Sequence, residues 1–299
     1  MYVVLGASGH TGQVVAQNLL DAKQKVRVVG RDAARLQPLV AQGAEVAVAD
    51  VTDSKSLSQA FQGADAAYVL IPPNVSSNDP RGYQDQVSDA ITSAVRGAGV
   101  RHVVTLSSVG ADKPSGTGPV VGLRYLEEQL NQIDGLNALH LRPGYFMYNS
   151  MPQVGVIRAT GNVIGPLRAD LKLPMIATRD IGNAAAQALL RRDFQGKQTH
   201  ELLGPRDLDY REAASIIGKA IGKPSLNYVQ APNEQLRPAF EQLGMSANFV
   251  GLLLEMVDAL NSGQMRAMEP RSAANTTPTT YETFVKEEFV PAYEQQKAA

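Results

Sequence analysis

Tyr2-Val3-Val4-Leu5-Gly6-Ala7-Ser8-Gly9-His10-Thr11-Gly12-Gln13-Val14-Val15-Ala16-Gln17-Asn18-Leu19-Leu20 stands at the start of the chain. Its first residues are apolar and β-branched, as in a buried strand. The residues after Gly12 place apolar side chains at helical spacing. Between the two lies a glycine turn. A strand feeding such a turn at a helix start is a place to hold a diphosphate. The glycines let backbone approach the phosphate oxygens, and the free N–H groups and positive end of the helix dipole face the anion. Gly6, Ser8, Gly9, His10, Thr11 and Gly12 are the expected phosphate-binding residues. A G-x-x-G-x-x-G string draws its meaning from the strand before it and the helix after it.

Outward from this unit the rhythm continues. Strands are predicted over residues 25–30, 44–49, 66–71, 100–106 and 137–141. Helices are predicted between them over 33–40, 57–61, 82–98 and 120–133, with Asp32 as a cap for the first. This alternation implies right-handed crossovers and an α/β fold of Rossmann type, a doubly wound parallel sheet. Ligands on such sheets sit at the carboxyl ends of the strands. After Pro143 the pattern loosens. A helix over 180–191 and a strand over 198–203 are followed by helices over 210–221, 233–243, 247–260 and 280–294. The expected organisation is a dinucleotide-binding domain over 1–148, with 176–198 packed on it. A smaller, mainly helical substrate lobe is expected over 149–175 and 199–299.

At 299 residues the chain can bury a large core but is short for two full-size domains. A formal net charge of -1 gives no global field to recruit nucleic acid or anionic membrane, so neither is an expected partner. Cysteine is absent, which excludes disulfides and thiolate chemistry and fits a reducing cytoplasm, the expected location. No stretch reaches the roughly 18 uninterrupted apolar residues of a membrane helix.

Cofactor choice is read where the second strand ends. An acidic residue there, about 20 residues past the glycines, favours NAD by bonding the ribose hydroxyls. Gly30 and Arg31 occupy the place here, with Arg35 one helical turn on. A guanidinium pairs well with a 2′-phosphate, so NADP(H) is expected in preference to NAD(H). The bland alternative is a solvated arginine beside a helix start. Asp50 and Val51 end the third strand, where they would flank the adenine. Ile71 and Pro72 follow the fourth strand and would shape the cofactor pocket.

Other chemistries fit poorly. His10 replaces the last glycine of a G-x-S-x-G nucleophile elbow, and Gln13 stands where a Walker lysine belongs. His10, His102, His140 and His200 are scattered with no i, i+4 pair, so no metal site is expected.

Several segments resemble the NmrA-like group of atypical short-chain dehydrogenase/reductases. They are the turn Gly6 to Gly12, Arg31, Leu141-Arg142-Pro143-Gly144-Tyr145-Phe146-Met147-Tyr148-Asn149, and Thr277-Pro278-Thr279-Thr280-Tyr281-Glu282-Thr283-Phe284. The resemblance implies either an NAD(P)H-dependent reductase of quinones, azo compounds or triphenylmethane dyes, or an NADP(H)-sensing regulator. Ordinary short-chain dehydrogenases use a Ser with Tyr-x-x-x-Lys, the Tyr donating the proton. Here Ser107 and Ser108 follow the fifth strand. Val120 stands in the tyrosine position and Arg124 in the lysine position, where it would hold the ribose or simply pair with Glu128. Pro143, Tyr145 and Tyr148 follow the sixth strand, where a nicotinamide would lie. Arg124, Tyr145 and Tyr148 are the candidate catalytic residues.

The leading reading is an NADPH-dependent reductase of a small, flat, electrophilic acceptor. Hydride transfer to such an acceptor needs little proton donation, so it tolerates the missing tyrosine. The alternatives are a redox sensor with a protein partner, and an isomerase or reductase of another carbon framework. A homodimer is compatible with each.

Overall fold

The computed structural model describes residues 1–295. Tyr2–Leu5 (β1) is buried at every position and lies inside a seven-stranded sheet. Val26–Gly30 (β2) and Glu45–Val48 (β3) extend the sheet on one side. Ala66–Val69 (β4), His102–Leu106 (β5) and Asn137–Pro143 (β6) extend it on the other. Every pairing is parallel, and the strand order reverses at β1, so a crevice opens at the carboxyl ends of β1 and β4. The fold is a doubly wound, parallel α/β fold.

A seventh strand, Lys197–Leu202, completes the sheet beside β6, from Lys197↔Ala138 to Leu202↔Pro143. This corrects the expected lobe boundary at 199, because residues 199–202 belong to the main sheet. The expected fourth strand is shorter than read. It ends at Val69, which frees Leu70 and Ile71 to leave the sheet at its carboxyl edge.

The helices begin where acidic caps place them. Asp53 accepts from the N–H groups of Lys55 and Ser56, so Ser54–Phe61 starts earlier than residue 57. Asp79 caps Pro80–Gly97, with proline preset for the first helical position. The helix expected over 33–40 is instead a turn of 3-10 helix, Ala34–Leu36, followed by Gln37–Val40. The helix expected over 280–294 contains a π segment, Val285–Phe289, just before Pro291, which supplies no N–H to the ladder.

Both faces of the sheet are covered. Val4, Tyr68, Val15, Leu19, Ile181 and Ala185 share one core, and Val3, Leu5, Leu57, Phe61, Ile91 and Leu126 the other. Each of the larger aliphatic and phenyl side chains contributes about 1.5–3 kcal/mol when fully buried. His10–Asp21 (α1) is joined on its face by Thr178–Arg191. Asn18 Nδ2 donates to Asn183 Oδ1 at 2.8 Å, and a Cβ on Gly182 would stand 2.6 Å from Val14 Cβ. A third core, containing Met175, Tyr210, Phe284 and Phe289, lies beyond β6. The chain enters it at Gly144, where a Cβ would meet the Pro174 carbonyl oxygen at 2.3 Å. Tyr145–Phe146 then pairs with Leu173–Ile176, which pairs with Asp207–Leu208. Among the described residues no helix is long and apolar enough to cross a membrane.

Candidate functional site

The glycine turn is built for close approach. Gly6 has φ of +64°, and Gly9 N–H donates to its carbonyl at 2.9 Å. A Cβ on Gly12 would lie 2.3 Å from that same carbonyl oxygen. Gly9 caps α1 without a side chain, and the first turn holds no acid. The helix start therefore presents N–H groups and positive dipole with no side-chain cap, as an anion cradle requires. Thr11 contributes backbone here, because its buried hydroxyl accepts from Tyr68 Oη at 2.9 Å. The His10 ring lies 3.8 Å from the Tyr148 ring, and burial lowers its pKa, so the imidazole is neutral near pH 7.

At the end of β2, Arg31 and Arg35 are exposed, and neither makes a hydrogen bond or ion pair among the described residues. Asp32 accepts from Ala34 N–H at 2.9 Å and so acts as a cap. Asp50 accepts from the N–H and hydroxyl of Thr52 at 2.9 and 2.8 Å. Those bonds, with help from the Arg31 charge, hold its carboxyl below the usual range. Val51 is half-buried beside it.

A cavity of about 670 Å³ opens at the carboxyl edge of the sheet. Ile71, Pro72, Ser107, Pro143 and Tyr145 all line it; Arg124 and Tyr148 do not. Leu70 also lines it and packs against Gly6, where a Cβ would stand 2.9 Å from Leu70 Cδ2. The cavity and the glycine turn thus adjoin. The far wall is the helix Ala247–Asn261, through Phe249, Leu253, Met256 and Leu260.

The acid–base positions differ from a tyrosine–lysine pair. Val120 lines the cavity. Arg124 donates to the Asp112 carbonyl at 2.8 Å and pairs with Glu128 at 2.6 Å. Tyr125 points to Asp89, 3.1 Å away, on the exposed side of its helix. The Tyr145 hydroxyl lies 3.0 Å from that of Tyr210, and burial raises the pKa of both phenols, which stay protonated at neutral pH.

One group escaped the sequence reading. Glu127 is only 4% exposed. It accepts from Arg142 Nε at 2.9 Å, from the second Arg142 nitrogen at 2.5 Å and from Ser107 Oγ at 2.5 Å. The signal was present: Glu127 interrupts an apolar helical stripe of Leu123, Leu126 and Leu130. Ser107 therefore gives its hydrogen inward, and its oxygen lone pairs are what it offers to the cavity.

The family model of the NmrA-like family matches residues 2–289. The chain is 31% identical over 260 residues to the NAD(P)H azoreductase of Xenophilus azovorans, covering 86% of each. It is 26% identical over 287 residues to quinone oxidoreductase 2 of Escherichia coli (strain K12), covering 94% of this chain and 95% of that protein. The structure of the Escherichia coli NADPH-dependent quinone oxidoreductase complexed with NADPH shares the fold. Its TM-score is 0.80 at 22% identity, over 97% of this chain and 100% of that one. With a family match running almost end to end, this chain belongs to the NmrA-like family.

Proposed function

We propose that this chain is an NADPH-dependent reductase of a flat electrophilic acceptor of the quinone, azo or dye kind. One observation carries the reading: the uncapped glycine cradle at α1 runs directly into an apolar cavity at the carboxyl edge of the sheet. The residues present fit the cofactor. Gly6, Gly9 and Gly12 leave room for a pyrophosphate, with Ser8, His10 and Thr11 completing the turn. Arg31, which makes no hydrogen bond or ion pair among the described residues, supplies charge for a 2′-phosphate, and Arg35 stands near it in sequence. Asp50 and Val51 flank the adenine end. The printed names of the relatives, an NAD(P)H azoreductase and a quinone oxidoreductase, support the same direction.

NADPH, when bound, supplies the hydride. The chain's own residues bind and orient. Pro143 and Tyr145 wall the ring site, and Ser107, its hydrogen committed to Glu127, accepts from an N–H donor such as a carboxamide. Ile71 and Pro72 shape the cofactor side of the cavity, and Phe249, Leu253 and Met256 offer a planar acceptor an apolar surface. Tyr145 stays neutral and linked to Tyr210, so it orients by hydrogen bonding and does not act as the proton relay. The proton that completes the reduced acceptor comes from solvent.

Steady-state loss of NADPH absorbance against a panel of quinones, azo dyes and triphenylmethane dyes tests the reading. Turnover with at least one class, and weaker use of NADH, is expected. Stoichiometric NADPH binding with no oxidation by any acceptor would overturn it in favour of a sensor.

A further inference from the structure

Three cations line the lobe side of the cavity: Lys172, Arg266 and Arg271. Two are already neutralised. Lys172 pairs with Asp209 at 3.1 Å and also with Glu212. Arg271 is bound by Asp207 and by the Gly204 carbonyl. Arg266 is exposed and makes no hydrogen bond or ion pair among the described residues. The acid on the same strap, Glu269, is approached by Asn275 Nδ2 at 3.5 Å and forms no ion pair with Arg266.

The strap carrying Arg266 is firmly seated. Met265 N–H donates to the Ala259 carbonyl at 2.9 Å. Its side chain fills the space over Gly110, where φ is +91° and a Cβ would stand 2.7 Å from Met265 Cγ. On the other side, Met268 and Glu269 N–H groups donate to the buried Glu201 carboxylate at 2.9 to 3.0 Å. Arg266 sits between these two anchors. These bonds fix the backbone that carries Arg266 beside the apolar cavity; its exposed guanidinium offers an oxyanion a charge-assisted, bidentate partner and gives up side-chain freedom on binding one.

We propose that Arg266 is a specificity residue selecting flat aromatic acceptors that carry a sulfonate or carboxylate. This rests on the reductase reading for the acceptor's chemistry. The binding preference itself needs no turnover. An anionic substituent pairs with Arg266 while the rings occupy the apolar sleeve of Phe249, Leu253 and Met256. A neutral acceptor fills the same sleeve and leaves Arg266 to water.

The test is calorimetric titration of naphthalenesulfonate and its neutral counterpart, naphthalenesulfonamide, into wild type, Arg266→Gln and Arg266→Lys. Wild type should bind the sulfonate about tenfold more tightly than the sulfonamide, a charge-assisted contact discounted for exposure. Arg266→Gln should abolish that ratio without changing sulfonamide or NADPH affinity, and Arg266→Lys should restore part of it. In turnover, KM for a sulfonated azo dye should rise about tenfold in Arg266→Gln with kcat unchanged, the pattern of lost uniform binding. A sulfonate-to-sulfonamide ratio that survives Arg266→Gln, no binding of either probe to wild type, or a loss confined to NADPH would each overturn the assignment. Failure of all acceptors to oxidise NADPH, with the binding ratio intact, would overturn only the reductase reading.

Discussion

Glu127→Gln should be the most damaging isosteric change in the sheet's carboxyl edge. The wild-type carboxylate is 4% exposed and its partner Arg142 has a side chain 16% exposed. Three donors converge on it, two from Arg142 and one from Ser107. Glutamine keeps the shape but removes the charge and turns one acceptor into a donor facing a donor. Breaking a buried pair from one side leaves the other ion uncompensated and costs about 3–5 kcal/mol. Glutamine retains one acceptor, so the lower end, about 3 kcal/mol, applies. For a chain of 299 residues that lowers Tm by roughly 5 °C. The measurement is thermal unfolding followed by far- and near-ultraviolet circular dichroism, with a double-mutant cycle through Arg142→Met. Glu127→Leu combined with Arg142→Met should recover much of the loss, because removing both ions also removes their desolvation. A Glu127→Gln variant that unfolds with wild type, or a cycle with no coupling, would refute the argument that this buried pair ties the helix Val120–Asn131 to β6.

The other expectations follow from single distances and charges. Gly12→Ala places Cβ 2.3 Å from the Gly6 carbonyl oxygen, where only backbone can yield, whereas Gly9→Ala places it at 3.3 Å. By differential scanning fluorimetry and NADPH titration, Gly12→Ala should lose cofactor binding and about 1–3 kcal/mol, and Gly9→Ala should be milder in stability. Arg31→Ala should weaken NADPH by about 10–100-fold in calorimetry and leave NADH nearly unchanged. Arg124→Met should weaken NADPH severalfold in the same assay and lower Tm by only a few degrees, since it removes one exposed ion pair and one hydrogen bond. Burial lowers the His140 pKa from 6.5 to about 4. The unfolded chain then binds the extra proton first, so stability falls as pH drops from 6.5 toward 4, by up to about 3 kcal/mol. His140→Asn should flatten denaturant stability across that window.

What the sequence made legible was local. The strand–turn–helix at residues 2–20 and five further strands were readable because each is a short, largely apolar run closed by glycine, proline, aspartate or serine. Errors arose where a non-local partner decides. Lys197–Leu202 reads as an isolated strand with its first half exposed, and only β6 shows that it belongs to the main sheet. Leu70 and Ile71 continue the apolar run of β4, yet they turn out of the sheet to line the cavity. Helix starts were placed late because Asp53 and Asp79 were not read as caps. Five expected site residues, Ile71, Pro72, Ser107, Pro143 and Tyr145, share one cavity, because topology delivers strand ends to one edge. Glu127 was overlooked although it breaks an apolar stripe, because that break marks a buried charge without naming the arginine that meets it from the end of β6. The lobe's contribution, Arg266 included, depends on how the strap folds over Gly110 and Glu201, which no periodicity encodes.

The loss of the tyrosine and the exchange of lysine for arginine are one change in physical terms. In the ordinary arrangement a lysine lowers the pKa of a tyrosine and holds the ribose. Remove the tyrosine, as Val120 does here, and the first task disappears. What remains is to offer a cation to two hydroxyls, and a guanidinium does that at least as well as an ammonium. Arg124 is held by an exposed i, i+4 pair with Glu128 and a hydrogen bond to Asp112. An exposed pair of this kind contributes about 0.3–0.5 kcal/mol, and a neutral-acceptor hydrogen bond about 0.5–1.5 kcal/mol net. Turning the side chain toward the cavity therefore costs about 1–2 kcal/mol, while hydrogen bonds from a charged donor return about 1.5–3 kcal/mol. The two figures are close, so the surface pair is no barrier to the turn when a ribose is present. Under the proposed reductase reading Arg124 is expected to serve as a ribose cation and not as a proton donor, and NADPH titration of Arg124→Met is the measurement that checks it.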